Sequence, residues 1–131
     1  MRRHDWVSRL WNTAQTYQHA TFSYRKHYCA LFAARCVDEI TGSDMERELK
    51  FSGRLEAETV LRREGGMEQA VTKRLGIPTG GHGARRGDVC LVDTDSGKGL
   101  GVCMGTTIAV AAERGLEFYP LGSAHKYWRV D

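Results

Sequence analysis

No stretch of this 131-residue sequence approaches the roughly 20 consecutive apolar residues that cross a bilayer, so no membrane span is expected. The opening Met1-Arg2-Arg3-His4-Asp5 is basic, but no apolar signal core follows it, and Sec-type export is not expected. An excess of one charge is also missing. Nineteen Lys and Arg stand against 16 Asp and Glu, for a net +3, well short of the basic footprint that marks a nucleic-acid surface. Arg62-Arg63 and Arg85-Arg86 are short basic pairs with acids nearby, and solvated surface accounts for them better than a phosphate-binding patch. The four cysteines, Cys29, Cys36, Cys90 and Cys103, form no C-x-x-C pair, which argues against a zinc knuckle or a thioredoxin-type motif. Free thiols in a reducing compartment are expected, although spacing alone leaves a disulfide open. No cofactor or metal is expected. Internal repeats, low-complexity tracts and interdomain linkers are absent, so residues 1–131 read as a single domain with one core.

What is present divides the chain into two halves. A first helix starts near Asp5, a good N-cap residue, with Trp6, Leu10, Trp11 and Ala14 on one apolar stripe. Thr16 to Lys26 reads as a polar and aromatic loop. The run Cys29-Ala-Leu-Phe-Ala-Ala-Arg-Cys-Val-Asp-Glu-Ile40 has high helix propensity and an apolar face broad enough to be buried. Cys29 falls in its first turn, and Gly42 is suited to end it. Ser43 or Asp44 is placed to cap a short helix over Met45–Phe51. Ser52 is placed to cap Arg54–Glu64, with Leu55, Val60 and Leu61 as core contacts. Gly65-Gly66 breaks the chain before a further helix, Met67–Leu75, that ends at Gly76.

The glycine-rich loop Ile77-Pro-Thr-Gly-Gly-His-Gly83 marks the change to β sequence. Strands are expected at Asp88–Asp93, Leu100–Gly105, Thr107–Ala112, Leu116–Leu121 and Lys126–Val130. Their connections are so short that neighbours must run antiparallel. The expected class is α+β: N-terminal helices packed on a C-terminal antiparallel sheet of about five strands.

A cysteine at the start of a buried helix, followed by such a sheet, has a chemical reading. The partial positive charge of the helix N-terminus favours thiolate, and a histidine on a facing strand can complete the ion pair and carry the proton. His27, two residues before Cys29, is one candidate partner; His82 and His125 are others that could fold back. The residues leave a plainer reading beside it. His27 then bonds backbone near the helix start, and Cys29 is a small residue that packs helix on sheet.

Three segments carry a resemblance to a known family. His27-Tyr28-Cys29-Ala-Leu-Phe resembles the segment that opens the catalytic helix of NlpC/p60 cysteine peptidases, which are papain-like. Arg86-Gly87-Asp88-Val89 resembles the motif that begins their first sheet strand, and Leu100-Gly101-Val102-Cys103-Met104-Gly105 resembles their second strand. The order is the family's, over roughly residues 25 to 121. Glu56-Ala57, Gly65-Gly66 and Trp128-Arg129-Val130 extend the likeness to an uncharacterised branch found in phage and prophage tail gene clusters.

The resemblance implies a papain-like fold with Cys29 as nucleophile. It also implies a catalytic histidine just before Leu100, where this chain has Gly99. Tyr28 stands where the family has an acidic residue, and Thr106-Thr107-Ile108-Ala109 offers only hydroxyls for the third polar group. The function so implied is a structural or assembly component of a phage tail tip without catalytic activity. Its partners would be other tail hub or tip proteins, in the virion tail and, during assembly, in the host cytoplasm. The alternative is an active cell-wall peptidase or amidase that cuts peptidoglycan stem peptides through Cys29. A third is a binding module without catalysis.

Other signals dissolve on inspection. Asp93-x-Asp95-x-Gly97 begins like a calcium loop, but its twelfth position is Met104 rather than a bidentate Glu, and a turn explains it. Gly97-Lys98-Gly99 lacks the glycine spacing of a phosphate loop. Trp6, Trp11 and Trp128 suit the core or, with Thr16–Lys26, a protein-binding face.

Overall fold

In the computed structural model, which describes residues 1–131, five helices precede a six-stranded antiparallel sheet. This is the expected α+β arrangement. Helix α1 (Trp6–Tyr17) buries Leu10, Thr13 and Ala14. Leu10 and Ala14 lie four apart and share a face, whereas Trp11 lies about 100° round from Leu10 and stays 58% exposed. Asp5 does not cap this helix: its carboxylate accepts from Arg9 Nε at 2.9 Å instead.

Helix α2 (Cys29–Thr41) is the centre of the molecule. Every residue from Ala30 to Val37 is buried, as is Ile40. Gly42 ends it with φ +82° and donates its N–H to the Asp38 carbonyl, the left-handed stop that glycine adopts without strain. Helix α3 (Met45–Glu48) follows. Neither Ser43 nor Asp44 caps it. The Asp38 carboxylate accepts from Met45 N at 2.7 Å and Glu46 N at 2.8 Å, so the end of α2 caps the start of α3. In α4 (Arg54–Arg63) the expected core contact Leu55 is 78% exposed, and Ala57 is the buried residue. Ser52 bonds Glu56 rather than a backbone amide. Helix α5 (Met67–Leu75) ends at Gly76.

The strands are β1 (Thr79–Gly80), β2 (Val89–Thr94), β3 (Gly97–Cys103), β4 (Thr107–Ala111), β5 (Leu116–Pro120) and β6 (Lys126–Trp128), in the spatial order β1-β6-β2-β3-β4-β5. The sixth strand is the two-residue β1, which the glycine-rich loop contributes by pairing with β6. The β2–β3 hairpin is tighter than expected. Thr94 pairs with Gly97, so Gly97-Lys98-Gly99 is strand and not loop. The last strand does not pair with its predecessor. A turn of 3-10 helix at Leu121–Ser123 leads β6 to the opposite side, where it pairs with β2.

Strand side chains alternate between two faces. Val89, Leu91, Leu100, Val102, Ala109 and Trp128 meet the helices in the main core. Cys90, Val92, Cys103, Ile108 and Val110 form a second cluster on the other face, closed by Ala124 from the crossing segment. Gly101 makes this double packing possible. A Cβ there would lie 2.5 Å from Ile108 Cγ2 and 2.9 Å from the Ala109 carbonyl oxygen.

The two chain ends meet at Asp88. Residues Arg85 to Asp88 form a turn, closed by Asp88 N to the Arg85 carbonyl at 2.9 Å. Gly87 takes φ +93° at its third position, as a type II turn requires. The fully buried Asp88 carboxylate then accepts four bonds. Arg85 N donates at 2.8 Å and Val130 N at 3.1 Å. Arg2 donates at 3.1 Å and Arg129 at 2.9 Å.

Two outcomes follow for stability in urea unfolding. Asp88→Ala strands two guanidinium groups and two amides, and is expected to cost about 3–5 kcal/mol. Gly101→Ala overpacks the sheet and is expected to cost about 1–3 kcal/mol.

Candidate functional site

The site begins with Tyr28, whose extended backbone (φ −147°, ψ 168°) delivers Cys29 to the first turn of α2. Tyr28 is held by its hydroxyl, which donates to the Leu49 carbonyl, and burial pushes its phenol well up. Cys29 itself is half-buried, packed against both hydrophobic clusters where helix meets sheet. Its sulfur lies 3.9 Å from the Met67 thioether of α5. Strand β3 does face the thiol: the backbone at Leu100, with that at Ala30 and Cys29, favours the thiolate. Burial outweighs this and raises the thiol above its ordinary value. Helix-end effects are worth roughly 0.3–1 kcal/mol, under one pKa unit, whereas burial can shift a group by several units.

No hydrogen bond links this thiol to an imidazole. His27 is fully buried and engaged elsewhere. Its Nε2 lies 2.8 Å from the Gly115 carbonyl in the β4–β5 turn, so Nε2 carries the proton. Its ring stacks on Tyr17 with centroids 6.0 Å apart, and Nδ1 has no partner. Arg35 also packs on Tyr17, its guanidinium carbon 4.5 Å from the ring centre. Sequence proximity thus suggested a pair that the fold separates by function: Cys29 faces the sheet, and His27 ties the loop before α2 to the β4–β5 turn.

The other histidines do not replace it. His125 Nε2 lies 2.7 Å from Asp93, an exposed carboxylate that also accepts from Lys98 at 3.0 Å. His125 first and Lys98 second hold Asp93 below the usual carboxylate range. His82 is exposed in the loop between β1 and β2. Gly99 is buried, and a Cβ on it would meet Thr94 Cγ2 at 3.0 Å and Val110 Cγ1 at 3.8 Å. No group of three His, Cys, Asp or Glu residues is arranged to hold a metal ion. Two contacts had no signal in the sequence: Met67 as the neighbour of the sulfur, and Asp88 as the acceptor for both chain ends.

Over residues 1–130 the chain matches the family described as a domain of unknown function, DUF6950, and belongs to it. No curated protein matches the chain.

His27→Ala tests the division of labour between the two residues. It removes a buried hydrogen bond and leaves a cavity, so a loss of about 2–4 kcal/mol in urea unfolding is expected. The pH dependence of Cys29 alkylation in the folded variant stays where it is in the parent. A shift in that profile would mean that the imidazole acts on the thiol.

Proposed function

We propose that this member of the DUF6950 family is a papain-like domain without catalytic activity that serves as a structural or assembly component of a phage or prophage tail tip. One observation carries the non-catalytic part. The thiol at the helix tip has a thioether for a neighbour and its proton is held by burial, so it lacks the base that nucleophilic catalysis requires. Support for the papain-like type comes from the helix that begins at Cys29 and abuts β3, in the order that the NlpC/p60 motifs follow. The tail assignment rests on the sequence likeness to the tail-cluster branch, and tail hub or tip proteins are its partners.

Alkylation with iodoacetamide separates this reading from a peptidase. A raised thiol pKa means that the thiolate is scarce at neutral pH and grows only as pH climbs past the ordinary thiol range near 8.5. Cys36, Cys90 and Cys103 are buried, so the folded protein reacts at Cys29 alone. Slow labelling at pH 7 that accelerates only in alkali is expected, together with no release of stem peptides from purified peptidoglycan. Labelling that titrates well below 8, or peptide release lost in Cys29→Ser, favours the cell-wall enzyme. For the tail assignment, mass spectrometry of purified particles from a phage encoding the chain is expected to find it in the tail fraction. Its absence from intact particles would remove that part.

A further inference from the structure

A notch of about 350 Å³ lies beside the Asp88 turn, lined by Arg2, Trp6, Arg85, Arg86 and Asp131. Its charge is unbalanced by construction. Arg2 and Arg129, both partly exposed, share the single Asp88 carboxylate, so that triad keeps a net positive charge. Arg85 and Arg86 are exposed, and neither is among the chain's ion pairs, although Arg9, Arg35, Arg47, Arg54 and Arg74 all have acidic partners. Three arginines, Arg2, Arg85 and Arg86, therefore line the notch, with Asp131 the only acid in its wall.

The groups are also held in place. Arg2 donates to the Val130 carbonyl at 2.8 Å and the Arg86 carbonyl at 2.7 Å, and its guanidinium carbon sits 4.2 Å from the centre of the Trp6 ring. The backbone of Arg85 is fixed by its bonds to Asp88. A rigid turn thus presents two free planar forks beside an indole wall, a geometry that takes carboxylates in bidentate pairs.

We propose that this notch docks an acidic segment of a partner protein, a short run of Asp or Glu side chains. The complement to two arginines that line one notch and have no acidic partner is a pair of neighbouring carboxylates. A nucleic-acid backbone needs a basic track that continues along the surface, and this notch is a single point on a chain of net charge +3. The inference rests on the arginines and is independent of what the Cys29 thiol does.

The test is a titration of the isotopically labelled full chain with a hepta-glutamate peptide at low salt, followed by NMR. Saturable shifts at Arg85, Arg86, Gly87 and the Trp6 indole N–H are expected, weakening as salt rises. Arg85→Ala/Arg86→Ala keeps the backbone bonds to Asp88 and is expected to lose about tenfold or more in affinity. Arg62→Ala/Arg63→Ala removes another exposed basic pair and is expected to lose nothing. Equal losses in both double variants, or shifts spread over all basic residues, overturn the proposal in favour of unspecific attraction. Inorganic phosphate or an oligonucleotide of equal charge that binds at these residues as tightly as the peptide overturns the choice of an acidic protein segment. No saturable shift at all overturns the notch as a site.

Discussion

A carboxylate with no access to water governs how this chain closes. Taking the Asp88 charge out of solvent is costly, and the cost is met only by complete bonding. Its four donors come from the chain's beginning, from the turn that opens β2 and from the last residues after β6. An arrangement that misplaced any of them would leave a buried charge short of partners. The carboxylate therefore specifies one closure among the many that a two-faced sheet could accept, a role distinct from adding net stability. Gly87 is part of the same device. A Cβ on it would meet Arg2 NH1 and Ile40 Cδ1, each at 3.1 Å, quite apart from its positive φ. The Arg-Gly-Asp-Val sequence is in this sense a statement about backbone and burial, with its arginine left over for solvent.

Closure at Asp88 sets the sheet against α2, and that packing decides the chemistry of Cys29. A helix tip in water would lower a thiol's pKa. Here the tip is driven against β3 and α5, and desolvation dominates the local dipoles. The imidazole two residues upstream cannot help, because the fold spends it on another joint. Gly115, the acceptor for His27, has its Cα so close to the α1–α2 loop that a Cβ would stand 1.9 Å from the Gln18 carbonyl oxygen. His27 bonds across that close approach. The two neighbours in sequence answer to different contacts, one between helix and sheet and one between loop and turn.

The helical half was largely legible because its signals are local. The apolar breadth of Ala30–Ile40 and the stop at Gly42 need no knowledge of the rest of the chain. Errors arose where a polar side chain had a choice of partner. Ser43, Asp44, Ser52 and Asp5 are all good caps by type, yet Asp38 caps α3 from the preceding helix, and Asp5 and Ser52 bond side chains. The sheet's alternation and antiparallel sense were also readable. Its order was not, since β6 passes β5 by to pair with β2, and only the burial of Trp128 and Ala124 on opposite faces dictates that path. At the site, the place of Cys29 in the first turn of α2 could be read directly, whereas the sulfur's neighbour Met67 is a product of where α5 docks.

Packing alone accounts for a cysteine at position 29. The side chain there touches both the helix-facing core and the second cluster, with Met67 of α5 beside its sulfur. Such a place admits a small, polarizable and weakly polar group. A serine would bring a hydroxyl that demands a partner in a poorly solvated spot, and a larger residue would push the helix from the sheet. Position 29 is thus a packing position of the scaffold. Nucleophilic chemistry at a thiol depends on a second residue, a base, that packing does not require. At position 99 the neighbouring Thr94 methyl already stands 3.0 Å from where a Cβ would be, and glycine there serves the hairpin. Packing alone can therefore hold a sulfur at a helix tip, and a base beside it, not the sulfur, is the residue by which nucleophilic chemistry at such a place is read.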